Sequence, residues 1–161
     1  MIFFKILIIL VFCLIFWQDY KHQMVYWFLY PLIGILAFFI QLEFLDFKLI
    51  AMNSSLNLLF VTILLFAIYF YSKIILKEKL INQSIGSGDV LLFIFLCFTF
   101  SFVSFFTIFT FSLIFSLVLH LFFKNKNQLK ESVPLAGYIS LFFCAIYSSL
   151  FLFNFNFLFA Y

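Results

Sequence analysis

Two aspartates, Asp19 and Asp89, are the residues whose type and surroundings could do chemistry in this chain. Asp89 closes the run Ile85-Gly86-Ser87-Gly88-Asp89, which holds two of the chain's four glycines at the mouth of a long apolar segment. Glycine lets a backbone take positive φ and lets another chain approach with no Cβ in the way. A carboxylate entering a membrane from such a turn is costly to place, which points to a task. Asp19 ends the first apolar stretch. Two carboxylates close together in a low-dielectric site do not both ionise cheaply, so such a pair shares one proton. The charged member can then act as general base on a water while the protonated member polarises a peptide carbonyl.

Each residue also has a plainer reading. Asp19 beside Lys21 and His22 could be an ordinary interfacial residue, and Asp89 could be a helix N-cap, a position where aspartate is favoured. Gly-Ser-Gly could be only a turn. The coincidence of a glycine turn, a carboxylate and a second carboxylate on the same side favours the pair. His22 and His120 fall near the same face, where His120 could approach the aspartates or be an interfacial side chain. Tyr20 could hydrogen-bond Asp19. Glu43 and Asp46 read as loop residues, and Ser101, Ser104 and Thr107 as hydroxyls that satisfy backbone groups at a turn. Cys13, Cys97 and Cys144 lie in apolar stretches without CxxC or metal spacing and read as small buried residues. No Ser-His-Asp or zinc-type spacing occurs, and no cofactor or metal is expected.

The elements that must position the aspartates are apolar. The chain has 161 residues, 68% hydrophobic and 9% charged, with a mean hydropathy of +1.28. A soluble domain is nearer half apolar and a quarter charged, so this is an all-α polytopic membrane protein. Residues 1–161 form one membrane-embedded domain, since the longest polar interval, Lys124 to Ser132, is too short to fold alone. Nucleic-acid binding is excluded by the lack of a basic face with interleaved aromatics. Ile2 to Gln18 lacks a small-residue cleavage site and is expected to be a retained span. Further spans are expected over Val25–Leu42, with Tyr26, Trp27 and Tyr30 as interface anchors, over Leu56–Tyr71, and from Val133-Pro134 to Phe153. Val90 to Phe123 would make one helix of roughly 50 Å, well over a ~30 Å hydrocarbon core, so it divides into two spans near Thr99 to Thr107.

Lysine placement supports about six transmembrane helices with both the N-terminus and the C-terminus outside. Lys21, Lys73, Lys77, Lys79, Lys124, Lys126 and Lys130 then lie inside, against Lys5 and Lys48 outside, as the positive-inside tendency asks. An unbroken Val90–Phe123 helix would reverse that balance. In the six-span topology Asp19 closes the first span and Asp89 opens the fourth at the same inner face. The two carboxylates can meet if those helices pack together.

Gly86-Ser87-Gly88-Asp89 resembles the GxGD signature of intramembrane aspartyl proteases, and the whole layout resembles the prepilin peptidases of type IV pilus and type II secretion systems. In that family one catalytic aspartate ends the first core helix on the cytoplasmic side, which matches Asp19, and the GxGD aspartate matches Asp89. Lys21 matches a basic residue after the first aspartate, and Pro134 with Gly137 resembles the proline-glycine patch that opens the last helix. The sequence departs from the family at Leu91, where a lysine is usual, and after Asp19, where Gln23-Met24-Val25 replaces Ile-Pro. The cytoplasmic, often cysteine-bearing domain linked to N-methylation in longer bacterial members is not expected here. The resemblance implies a multi-pass protein of the bacterial inner membrane. It would cleave the leader of a prepilin-like, membrane-anchored partner without methylating it and without a metal, with Gly86, Ser87 and Gly88 keeping side chains away from an extended substrate. A contrasting expectation is a non-catalytic or transporter-like membrane protein that uses the aspartates for proton transfer or assembly.

Overall fold

A computed structural model describes residues 2–76, 86–124, 134–153 and 159. These residues form six α-helices: α1 Ile2–His22, α2 Leu29–Gln41, α3 Phe47–Tyr71, α4 Ser87–Leu96, α5 Phe102–Lys124 and α6 Leu135–Phe153. A π-helical turn, Ser72–Leu76, extends α3. The stretches 77–85 and 125–133, which carry Lys77, Lys79, Lys126 and Lys130, lie outside the described residues, as does Val133.

Among the described residues four segments are long and apolar enough to cross a membrane: Ile2–His22, Phe47–Ile74, Phe102–Phe123 and Leu135–Leu152. Their outward faces carry large apolar side chains at helical spacing, such as Leu10, Leu14 and Trp17 on α1 and Phe111, Ile114, Leu117 and Leu121 on α5. Exposed apolar surface on this scale suits lipid and not water. This is a membrane protein. The remaining helices are short: α2 has 13 residues and α4 has 10, roughly 20 Å and 15 Å of rise.

Three expectations change. The third helix starts at Phe47, nine residues before the expected Leu56, and takes in Lys48 and Asn53-Ser54-Ser55. Ser54 and Asn57 face the interior there and give this helix a buried polar face. The break in the long apolar run falls at Cys97–Ser101, and Ser104 and Thr107 lie within α5. Cys97 is buried as expected, but Cys13 is exposed where α1 meets α6, with its Sγ 3.5 Å from that of Cys144.

The break at Cys97–Ser101 is itself buried. Non-helical backbone at membrane depth must have its carbonyls satisfied by protein. Asn57 Nδ2 donates to the carbonyls of Cys97 and Phe100 at 2.9 and 3.0 Å. Gln41 Nε2 donates to that of Phe98 at 2.9 Å, and the Tyr147 hydroxyl to that of Thr99 at 3.4 Å. Aromatic rings seal this end: Phe100 stacks on Tyr147 and Phe143, and both of those pack on Phe12 of α1. The opposite end of the bundle gathers the last turn of α1 and the first turns of α2, α4 and α6. Both aspartates lie there.

Candidate active site

The start of α6 is the hub. Its first helical hydrogen bond runs from Tyr138 N–H to the Pro134 carbonyl at 3.2 Å. A helix leaves its earliest N–H groups without intrahelical partners. Two of these are taken by carboxylates from elsewhere in the chain. The Ala136 N–H donates to Asp89 Oδ1 at 2.8 Å, and the Gly137 N–H donates to Asp19 Oδ2 at 2.6 Å. Adjacent amides of one helical turn therefore hold one aspartate each, at the end where the helix dipole favours negative charge.

Asp19 reaches this position along the buried stripe of α1. Ile8, Val11, Phe12 and Ile15 face the interior at helical spacing, and Asp19 continues the stripe with 8% of its surface exposed. The facing helix is cut back to admit it. A Cβ on Gly137 would lie 3.1 Å from Asp19 Oδ2, 3.2 Å from Asp19 Cβ and 3.5 Å from the Phe16 carbonyl. Gly137 is a glycine because α1 comes this close.

Asp89 is the third residue of α4, whose N-cap is Gly86, so the carboxylate is not itself the cap. Its Oδ2 accepts from the Gly86 N–H at 3.2 Å while Oδ1 reaches α6. One side chain thus ties the starts of two helices. No described glycine takes positive φ, so the glycine run is not used for backbone freedom. It is used for space. A Cβ on Gly86 would lie 3.0 Å from Asp89 Oδ2, and one on Gly88 would lie 2.7 Å from the Tyr30 hydroxyl.

Asp19 and Asp89 are near enough to interact electrostatically, although α1 and α4 have little direct contact. The carboxylates come together without these two helices packing on each other, because both dock on α6 and α2. Tyr30, expected as an interface anchor, is buried beside Gly88 and interacts electrostatically with both carboxylates. Tyr26 and Trp27, its companions in that expectation, are exposed. Sequence reasoning missed Tyr30 and Ala136. The only signal for Tyr30 was its place in the first turn of a helix whose partner carries a glycine, and Ala136 acts through its backbone alone.

The other candidates lie further out. Ser87 is exposed in the first turn of α4, and Lys21 and His22 are exposed at the end of α1. Tyr20 stacks on Phe16 and is half-exposed, with no described bond to Asp19. His120 is half-buried near the end of α5, and its buried Nδ1 bonds no described residue. Pro134 is buried and supplies the carbonyl that starts α6. Among the described residues no cluster of three His, Cys, Asp or Glu side chains forms a metal site. Comparison with known protein families, curated proteins and solved structures finds no match to this chain.

Proposed function

We propose that this chain is a membrane aspartyl endopeptidase of the prepilin peptidase kind, with Asp19 and Asp89 as its catalytic pair. One observation carries the reading: two carboxylates 70 positions apart in sequence are held by adjacent backbone amides, Gly137 and Ala136, at one end of the bundle. Held in this way the pair is preorganised, which is what general acid–base work on a peptide bond requires.

In the proposed reaction the ionised aspartate takes a proton from water as the water oxygen bonds to the scissile carbonyl carbon. The protonated aspartate gives its proton to the carbonyl oxygen, leaving a gem-diol. The gem-diol then collapses: a diol proton returns to one aspartate, the C–N bond breaks, and the departing nitrogen takes the proton held by the other. Atoms and charge balance, and the pair regains its single proton.

In this reading all six helices cross the membrane, α2 and α4 as short spans beside the site, with both termini outside and the aspartates at the cytoplasmic face of a bacterial inner membrane. The lysine distribution supports that orientation. The substrate is then a prepilin-like protein with a short positive leader inside and an apolar helix in the bilayer.

The test is a leader-cleavage assay in membranes with a pilin-like protein from the same source, comparing the parent with Asp19→Asn and Asp89→Asn. Asparagine keeps an acceptor oxygen and can still cap its α6 amide, but it cannot titrate. Cleavage lost in both variants at unchanged protein level is the expected result. Cleavage at the parental rate in either variant would leave the aspartates as helix caps and nothing more.

A further inference from the structure

Among the described residues two tyrosine hydroxyls at this end of the bundle have no hydrogen-bond partner, those of Tyr138 and Tyr30; Tyr138 acts electrostatically on Asp19, and Tyr30 on both carboxylates. Tyr30 is the second residue of α2, with 2% of its surface exposed. Its ring belongs to the buried core, and its hydroxyl fills the space where Gly88 lacks a Cβ. That hydroxyl makes no hydrogen bond to a described residue, so its O–H is available to a group that enters the site. The two groups that act on it electrostatically are Asp19 and Asp89.

A donor without an acceptor, beside two carboxylates, is placed for an acceptor that arrives with the substrate. Hydrolysis by an aspartate pair builds negative charge and then a hydroxyl on the former carbonyl oxygen. Preorganised donors aimed at that oxygen are among the largest contributions to such catalysis. The phenol suits this role, because its ring is held by packing and only its tip enters the site.

We propose that Tyr30 is a third catalytic residue, whose hydroxyl passes over Gly88 and donates a hydrogen bond to the scissile carbonyl oxygen as it becomes tetrahedral. This rests on the aspartyl endopeptidase reading. It gives Gly88 a second reason to be glycine: any Cβ there would displace the donor. The phenol moves no proton in the reaction, so the balance between water, the aspartates and the peptide is unchanged.

The experiment uses the full chain in liposomes with a peptide substrate and two inhibitors. One inhibitor replaces the scissile bond with a hydroxyl-bearing isostere, and the other with a reduced amide that lacks the oxygen. Tyr30→Phe keeps the ring and removes only the oxygen. The expected result is a fall in kcat on the order of 100-fold, the size found when one such donor is removed, with KM nearly unchanged. The hydroxyl isostere should bind more weakly to the variant and the reduced amide equally well to both. A second variant pair guards against a purely steric effect. Gly88→Ala should impair folding or cleavage, and Gly88→Ala with Tyr30→Phe should restore thermal stability without restoring kcat.

Parental kcat in Tyr30→Phe, equal weakening of both inhibitors, or recovery of kcat in the double variant would each overturn the assignment. Asp19→Asn and Asp89→Asn run beside it to separate the two failures. If both are inactive while Tyr30→Phe works normally, only the role of Tyr30 is wrong. If either cleaves at the parental rate, or if the parent chain does not cleave, the endopeptidase reading fails and Tyr30 with it.

Discussion

Adding one methyl group at Gly137 tests how closely α1 seats on the start of α6. An alanine Cβ there would stand 3.1 Å from Asp19 Oδ2 and 3.2 Å from Asp19 Cβ, whereas carbon contacts are most favourable at about 3.5–4.0 Å. Neither neighbour can yield cheaply. The Asp19 Cβ is fixed to the α1 backbone, and Oδ2 is held by the N–H of Gly137 itself. Either α1 moves out by several tenths of an ångström or the carboxylate leaves its amide. Overpacking of this kind costs about 1–3 kcal/mol, and loss of a hydrogen bond to a charged group about 1.5–3 kcal/mol. Alanine returns at most about 1 kcal/mol of helix propensity. The net loss is about 0.5–2 kcal/mol, which for a chain of this size lowers Tm by about 2–4 °C per kcal/mol. Thermal unfolding in detergent, followed by tryptophan fluorescence, reads this directly. Gly137→Ala should also cut leader cleavage at least about tenfold, since small misplacements of catalytic groups are amplified in rate. An unchanged Tm together with parental cleavage would refute the close seating of Asp19 on α6.

Asn57→Ala should lower stability by about 2–4 kcal/mol, because it strands the buried carbonyls of Cys97 and Phe100, each worth about 1–3 kcal/mol when left unpaired. Gln41→Ala strands only that of Phe98 and should cost about half as much in the same unfolding measurement. Copper-phenanthroline oxidation in membranes should join Cys13 to Cys144, whose sulfurs are 3.5 Å apart, and give a faster band on a non-reducing gel. Cys13→Ser should abolish that band and Cys97→Ser should leave it. A band that persists without Cys13 would contradict the α1–α6 packing.

Much of this site was legible in the sequence because membrane proteins place so few charges. Six acids in 161 residues left few candidates, and the high cost of a carboxylate in an apolar segment singled out Asp19 and Asp89. The glycine pattern was legible as a need for space, but not what fills the space. Composition cannot say that the gap at Gly88 holds the Tyr30 hydroxyl, because that depends on the crossing of α2 and α4. The same limit hid Asn57 and Gln41. Their partners are backbone carbonyls of a buried turn, and a carbonyl has no signature in residue type. The early start of α3 was missed for a related reason. Asn53-Ser54-Ser55 interrupts the apolar run, and only the fold shows Ser54 and Asn57 facing inward while Leu56, Leu58 and Leu59 face out.

The separation of the two carboxylates is set by neither of the helices that carry them. Asp19 comes from the last turn of α1 and Asp89 from the first turn of α4, and those helices have little contact with each other. What fixes the pair is that Ala136 and Gly137 are consecutive, so the two anchor points differ by one helical step of about 1.5 Å rise and a fixed rotation. Pro134 holds that register from the other side, since a proline has no N–H to continue the helix backward and its φ is already set. A disturbance confined to α1 or α4 therefore moves one carboxylate relative to the other. A rotation at the start of α6 carries both together and preserves their spacing. The tolerance of the site to substitution should follow that division: strict at Gly137 and along the Ile8–Asp19 stripe, and looser where a change shifts α6 as a whole.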